Sequence, residues 1–110
     1  MGLIETIKLV GQNGHEYLFD VYPKQTTFDD VLCLYAFLTP VLGGYHVLYI
    51  GQTIDLGQRL ANHHKWVEAS QHGFMYVAVC RDVTLLSLDA DEENLIRHYS
   101  PVCNQQLCNP

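Results

Sequence analysis

Two glycine turns divide the first half of the chain into paired runs of β-type residues. Asn13-Gly14 separates residues 3–10 from residues 16–22, and Asn-Gly between two alternating runs is a strong hairpin signal. Gly43-Gly44 separates the apolar run VLCLYAFL from YHVLYI in the same way. The sequence therefore predicts two antiparallel hairpins, one at the N-terminus and one in the middle of the chain.

The second half of the chain carries helical patterns separated by strand patterns. Asp55 suits the N-cap of a helix over residues 56–69, with Leu56, Leu60 and Val67 on one apolar face. FMYVAVC then predicts a buried strand and VTLLSL a short one.

A last helix is expected before the C-terminus. It begins at Asp89 or Asp91 and ends before Pro101, because proline disfavours helix at the residue that precedes it. The order of elements predicts an α+β fold in which a small mixed or antiparallel sheet is flanked by helices. A chain of 110 residues is long enough for one compact domain overall.

The charge balance limits the kinds of partner. The chain has 6 Lys and Arg against 12 Asp and Glu, and its net charge is −6. Non-specific affinity for nucleic acid comes from many basic side chains that neutralise phosphates. A generic nucleic-acid binder is therefore disfavoured, and action on a polyanion would need one focused site, a metal ion or a partner.

The N-terminus and the cysteines indicate a reducing compartment. Glu5 and Lys8 interrupt the first apolar run, unlike a signal peptide, and no run reaches the roughly 18 apolar residues of a membrane helix. We therefore expect a cytoplasmic protein without membrane contact. The four cysteines are then expected to be free thiols: Cys33, Cys80, Cys103 and Cys108.

A tyrosine, a glycine, an arginine and a histidine follow one another closely in the middle of the chain. Arg59 lies eight residues after Gly51, and His63 lies four residues further on, one helical turn away and thus on the same side of the predicted helix. Together with Tyr49-Ile50-Gly51, this order resembles the GIY-YIG nuclease family. The other named motif of the family then falls on 33–35, with Tyr35 retained and cysteine in place of glycine.

The hairpin register follows from that assignment. A pairing centred on Leu42 would place Tyr35 opposite Tyr49, so that both side chains reach one face of the sheet. The resemblance implies a GIY-YIG-like nuclease domain over residues 31–110, with residues 1–30 as an added N-terminal β-hairpin.

The segment DEENLIRHYSPVCN resembles the closing block of the same family. Glu92 shares a helical stripe with Leu95, Ile96 and Tyr99, so it should face the protein, whereas Glu93 should face solvent. An inward carboxylate needs a partner, and a metal ion is one such partner. Asn104 follows Pro101 where the family has an asparagine.

The resemblance implies a metal-dependent endonuclease that hydrolyses phosphodiester bonds by a one-metal mechanism. Glu92 would hold Mg²⁺ or Mn²⁺, Arg59 would stabilise charge on the phosphate, and Tyr35, Tyr49 and His63 would position or activate water. The guanidinium and the metal would lower the pKa of the tyrosine. The site residues implied are Tyr35, Tyr49, Arg59, His63 and Glu92, with Gly51, Asn104 and His72 in positioning roles. The substrate implied is DNA, with RNA or a branched nucleic acid as alternatives.

Two other interpretations fit the sequence. One is a catalytically silent interaction domain for nucleic acid or protein, which the acidic balance favours. The other is a zinc or thiol protein that uses His98, Cys103 and Cys108, although a fourth ligand is not evident. In each case the N-terminal hairpin would offer an exposed strand edge for a homodimer or a protein partner.

Overall fold

The computed structural model describes residues 2–104, which form one antiparallel sheet with helices on both of its faces. The strands in chain order are β1 (Glu5–Val10), β2 (Glu16–Pro23), β3 (Cys33–Val41), β4 (Gly44–Thr53) and β5 (Tyr76–Cys80). The helices are α1 (Leu56–Ala61), α2 (Trp66–Gln71) and α3 (Leu88–Tyr99), and a 3₁₀ turn covers Val102–Asn104.

Both predicted hairpins are present and belong to a single sheet of order β1-β2-β5-β3-β4. Gly14 has φ +90° and Gly43 has φ +83°, the left-handed conformation that tight turns require and that glycine adopts without strain. Because β2 pairs with β5, the N-terminal hairpin extends the central sheet. The sheet curls until its edge strands meet, where the Tyr45 hydroxyl donates to Glu5 Oε2 at 2.5 Å.

The register of the β3–β4 hairpin differs from the prediction. Tyr35 pairs with Gly51 and Phe37 pairs with Tyr49, so the expected pairing of Tyr35 with Tyr49 is wrong. The register shifts between Phe37 and Leu38, and Leu48 is the extra residue on β4. This bulge turns Leu48 and Tyr49 toward the same face of the sheet, which lets β4 contribute two consecutive side chains to one core.

The two faces of the sheet carry separate hydrophobic clusters. Alternation along β3 sends Leu34 and Ala36 to one face and Tyr35 and Phe37 to the other. Helix α3 covers the first face through Leu88 and Leu95, which are buried among Phe19, Val21, Leu38 and Ile50. Helices α1 and α2 and the 3₁₀ turn cover the second face through Leu56, Ala69 and Cys103.

The single helix predicted over residues 56–69 is wrong, because the structure has α1 and α2 with a break between them. Asn62 ends α1 with φ −151°, outside the helical region. The ring of His63 then accepts a hydrogen bond from the Lys65 amide, an alternative to a continuing helical ladder. Val67, which a continuous helix would have buried, is exposed.

Two further expectations concern the approach to α3. The short strand predicted for VTLLSL is absent from this part of the described chain, where residues 85–87 form a turn and Leu85 and Leu86 are exposed. Helix α3 begins one residue before Asp89, at Leu88, with Ser87 at the N-cap. It ends at Tyr99 before Pro101, as predicted, and Ser100 at the C-cap adopts φ 44°.

These observations confirm a compact α+β fold with an antiparallel sheet and flanking helices. Cys33, Cys80 and Cys103 are buried free thiols, as expected, while Cys108 lies outside the described residues. Within residues 2–104, no helix has the length and apolar character needed to cross a bilayer.

Candidate active site

Tyr35 lies at the centre of a cluster of polar aromatic side chains on the α1–α2 face of the sheet. Its side chain is fully buried, and its ring passes directly over the backbone of Gly51 on the neighbouring strand. A Cβ at position 51 would lie 2.5 Å from Tyr35 Cζ and 2.6 Å from its hydroxyl oxygen. The glycine is therefore required for Tyr35 to occupy this position.

His63 reaches the same oxygen from the segment between α1 and α2. Its Nε2 lies 2.6 Å from the Tyr35 hydroxyl oxygen, and its Nδ1 accepts the Lys65 backbone N–H at 2.9 Å. A neutral imidazole has one N–H and one acceptor nitrogen, so the bond to Nδ1 places the proton on Nε2. His63 therefore donates to Tyr35.

Burial keeps His63 neutral. The ring is 6 % exposed, and its desolvation, with smaller contributions from His64, Arg59 and Lys65, lowers the pKa of His63 to about 4. The prediction that Arg59 and His63 lie on one side of a single helix is wrong, because His63 follows the end of α1. Arg59 is nevertheless close enough for its charge to affect the pKa of both His63 and Tyr35.

Arg59 and Tyr49 complete the surroundings of Tyr35. The rings of Tyr35 and Tyr49 are 6.0 Å apart between centroids. Arg59 is exposed and makes a long contact of 3.4 Å from Nη1 to the carbonyl oxygen of Gln52. It lies close enough to Tyr35 for its positive charge to favour the ionised form of the phenol.

In the protein by itself, the pKa of Tyr35 is not lowered as predicted. Burial raises the pKa of Tyr35 well above its usual range, and the nearby positive charge of Arg59 opposes this only in part. Burial also raises the pKa of Tyr49. Both phenols are therefore neutral near pH 7.

Glu92 approaches this cluster from the opposite face of the sheet. As predicted from the helical stripe, it is half-buried, while Glu93 is exposed and forms an ion pair with Arg97. Its Oε1 accepts a hydrogen bond of 2.9 Å from the side-chain amide of Gln52, at the end of β4. Glu92 and Arg59 are close enough to affect the pKa of Glu92 through their charges.

Gln52 and Asp89 belong to this region, and the sequence analysis missed both. The Gln52 amide also donates to Asp89 Oδ1 at 2.5 Å, so one side chain of β4 joins two carboxylates of α3. Asp89 and Glu92 are three residues apart and share a helix face, which was a usable signal. The pairing with Gln52 depends on how α3 packs against β4, and no local pattern shows it.

Glu92 and Asp89 suit a hard divalent cation that takes only one or two of its ligands from the protein. Among residues 2–104, no three His, Cys, Asp or Glu side chains converge on one point. Mg²⁺ is commonly held by one or two carboxylates, with water and substrate phosphates as its other ligands. Burial and the neighbouring Asp89 raise the pKa of Glu92, and a cation beside the carboxylate would offset that penalty.

The remaining predicted residues are less central. Asn104 pairs with the outer edge of β4, where its Oδ1 accepts from the Ile50 N–H and its Nδ2 donates to the Ile50 carbonyl, both at 2.9 Å. His72 caps the end of α2 with an exposed ring, and the adjacent Gly73 lies against Thr39, at the far end of β3 from Tyr35. The structure therefore does not bring His72 to the cluster.

The residues proposed for a zinc site do not come together within the described chain. Cys103 is buried under α1 and α2, while His98 is exposed on α3 beside Tyr99. Cys108 lies outside the described residues. Comparison with known proteins adds no assignment, since no family model, curated protein or solved structure matches the chain.

Proposed function

We propose that this protein is a metal-dependent endonuclease of the GIY-YIG type that hydrolyses phosphodiester bonds, most directly those of DNA. One observation carries the proposal: a buried tyrosine oxygen receives a hydrogen bond from a neutral histidine, and an exposed arginine lies close enough for its charge to act both on that tyrosine and on the half-buried Glu92. A packed core has no need of that constellation, whereas phosphate chemistry uses each of its members.

Arg59 is the group that meets the substrate. Its side chain is exposed and its contact with the Gln52 carbonyl is long, so a phosphate with two charged oxygens is a better partner for the guanidinium. Movement of Arg59 toward a phosphate would also uncover Tyr35, which is fully enclosed in this conformation.

Tyr35 and His63 then act on the attacking water. A phenolate at Tyr35, formed once its hydroxyl proton has left to solvent, would accept a proton of the water as the water oxygen bonds to phosphorus. The bond to the leaving oxygen breaks in the same step, and that oxygen takes a proton from solvent. The Nε2–H of His63 already points at the Tyr35 oxygen, so it stabilises the phenolate by donating to it. The hydroxyl proton of Tyr35 leaves to solvent, because Tyr49 is itself a neutral phenol; Tyr49 packs beside Tyr35 and orients it.

Glu92, supported by Gln52 and accompanied by Asp89, is the residue that would hold Mg²⁺ or Mn²⁺. Such an ion supplies positive charge to the phosphate oxygens and favours the ionised form of nearby oxygen acids. Gly51 and Asn104 maintain the geometry of β4, from which Gln52 reaches the two carboxylates of α3.

A silent interaction domain is the second candidate. It is favoured by the complete enclosure of Tyr35 and by the net charge of −6, both of which oppose a site open to a polyanion. On that interpretation the same fold binds a nucleic acid or a protein without cleaving it.

The deciding experiment incubates the protein with single-stranded DNA, duplex DNA, a branched junction and RNA. Each substrate is tested with Mg²⁺, with Mn²⁺ and with excess chelator. We expect cleavage of at least one DNA form in the presence of metal and none in chelator. Tyr35→Phe removes only the hydroxyl and should abolish cleavage, whereas Tyr76→Phe, a matched change on β5, should not. Cleavage that persists in chelator, or in Tyr35→Phe, would refute the mechanism.

A further inference from the structure

Within the described residues, two of the basic side chains of this acidic chain form no ion pair with a carboxylate. All six Lys and Arg side chains fall within the described residues. Four form ion pairs with carboxylates, namely Lys8 with Glu16, Lys65 with Glu68, Arg81 with Asp20 and Arg97 with Glu93. Within residues 2–104, Lys24 and Arg59 have no such partner, so a polyanion meets its strongest attraction at these two.

Lys24 lies at the rim of a surface cavity of about 300 Å³ on the same face of the sheet as Tyr35. The indole of Trp66 and the ring of Phe28 form its apolar walls, and the hydroxyls of Thr26 and Thr27 add hydrogen-bonding groups. The Lys24 ammonium sits 5.3 Å from the centroid of the buried Phe74 ring, which packs behind Trp66 at 5.2 Å between centroids. Aromatic walls, hydroxyls and one cation are together the chemistry that a nucleotide requires.

The cavity and the candidate active site lie on opposite flanks of α1. Gly57, Leu60 and Ala61 of this helix line the cavity, while Arg59 points to the Tyr35 side. The two sites are joined through the core, because Trp66 packs against Phe37 at 6.0 Å and Phe37 against His63 at 4.9 Å between ring centroids. An α-helix with its side chains is about 10 Å across, so an extended strand that crosses α1 reaches both sites.

We propose that this cavity binds a nucleotide of the substrate strand that neighbours the phosphate held by Arg59. The base packs on Trp66 and Phe28, and the phosphate of that nucleotide meets Lys24. This inference rests on the nucleic-acid substrate proposed above. It deepens that proposal by giving the enzyme a contact outside the reacting phosphate and by making a single strand the form of substrate that fits.

Trp66 is the single tryptophan of the chain, so its fluorescence reports on the cavity directly. We would titrate the full chain with adenosine 5′-monophosphate in excess chelator, where no cleavage occurs. Stacking of the base should quench the emission. Ribose 5-phosphate lacks the base and should not quench it. Adenosine lacks the phosphate and should bind about tenfold more weakly, the ratio that corresponds to one charge-assisted contact of about 1.4 kcal/mol.

Two substitutions test the two halves of the cavity. Lys24→Gln should weaken binding of the nucleotide about tenfold, and Lys24→Arg should restore it, because the charge returns. Lys8→Gln is the matched control, since Lys8 is already paired with Glu16 on β1–β2 and should bind as the wild type does. Ala61→Phe fills the mouth of the cavity from an exposed position and should abolish the quenching.

The outcomes separate this inference from the proposed function. Quenching that depends on Lys24 and Ala61 supports the cavity even if no phosphodiester bond is ever cut. Metal-dependent cleavage with an unchanged KM in Lys24→Gln and Ala61→Phe would leave the nuclease in place and overturn the cavity. Absence of quenching at roughly 10 mM nucleotide, where a millimolar site would be nearly filled, would also overturn it.

Discussion

Glu92 and Glu93 are adjacent, chemically identical and placed on opposite sides of α3, so their glutamine variants form a matched test. Glu92 is half-buried and carries a raised pKa, which means that its ionised form costs stability at neutral pH. Glu92→Gln removes that cost and keeps an oxygen for the Gln52 amide. We expect a gain of about 0.5–1 kcal/mol in the free energy of unfolding at pH 7 without metal, because the group is only half-buried.

Glu93→Gln should have the opposite sign. Its carboxylate pairs with Arg97 one helical turn away, with side-chain exposures of 60 % and 66 %, so the pair contributes about 0.3–0.5 kcal/mol. For a chain of 110 residues, 1 kcal/mol corresponds to about 4 °C in Tm. Thermal denaturation should therefore show a rise of about 2–4 °C for Glu92→Gln and a fall of about 1–2 °C for Glu93→Gln.

The pH dependence checks the cause of the gain. Below the unfolded pKa of about 4.3, Glu92 is neutral in both states and costs nothing; as the pH rises through its higher folded pKa, the cost becomes fully present. The advantage of Glu92→Gln should thus vanish near pH 4 and grow toward pH 7. Added Mg²⁺ should raise the Tm of the wild type and of Glu93→Gln, but not of Glu92→Gln. Equal losses of stability in both variants, or equal shifts with Mg²⁺, would refute the assignment.

Two further changes test the site around Tyr35. Arg59→Ala should reduce the cleavage rate by about 10²-fold or more with an unchanged Tm, as for other preorganised charge stabilisers. The control variant Arg97→Ala should cleave at the wild-type rate. Comparable rates in the two variants would show that Arg59 has no part in the mechanism. Gly51→Ala should destabilise the fold by about 1–3 kcal/mol, because the new Cβ meets the rigid ring of Tyr35, while Gly44→Ala has open space and should be tolerated; chemical denaturation measures both.

The hairpins and the stripe of α3 could be predicted because each depends on local chemistry. Gly14 and Gly43 have the positive φ angles that their turns require, and Glu92 faces inward because it shares a stripe with Leu95. Such features depend on a few neighbours along the chain, so a single sequence contains enough information to predict them.

The errors arise where tertiary contacts override local preference. The bulge at Leu48 lets β4 place two side chains in one core, and only that core selects it over a regular register. The break after α1 is fixed by His63, whose two ring nitrogens bond to Tyr35 and to the Lys65 amide. The bulge in β4 and the break after α1 bring side chains to Tyr35 that a regular hairpin and a straight helix would have placed elsewhere. Neither feature is indicated by a pattern along the chain.

Because most basic side chains form ion pairs, we expect the binding of nucleic acid to depend only weakly on salt concentration. Four of the six cations are occupied by carboxylates of the same chain, which leaves Lys24 and Arg59 for phosphates. Each phosphate contact contributes about −0.7 to the slope of log K against log salt for a single strand, so two contacts give a slope of about −1.4. The net charge of −6 flattens the slope further, since salt also screens repulsion.

Fluorescence anisotropy of a labelled single strand, measured in chelator over a range of NaCl concentrations, gives the slope. Lys24→Gln should reduce its magnitude by about half, and Arg97→Gln should leave it unchanged because Arg97 is already paired. A slope steeper than about −4 would require contacts from about six cations, which is every Lys and Arg of the chain. Ion pairs seen in the structure would then have to break. The hypothesis that Lys24 and Arg59 supply the phosphate contacts would be refuted.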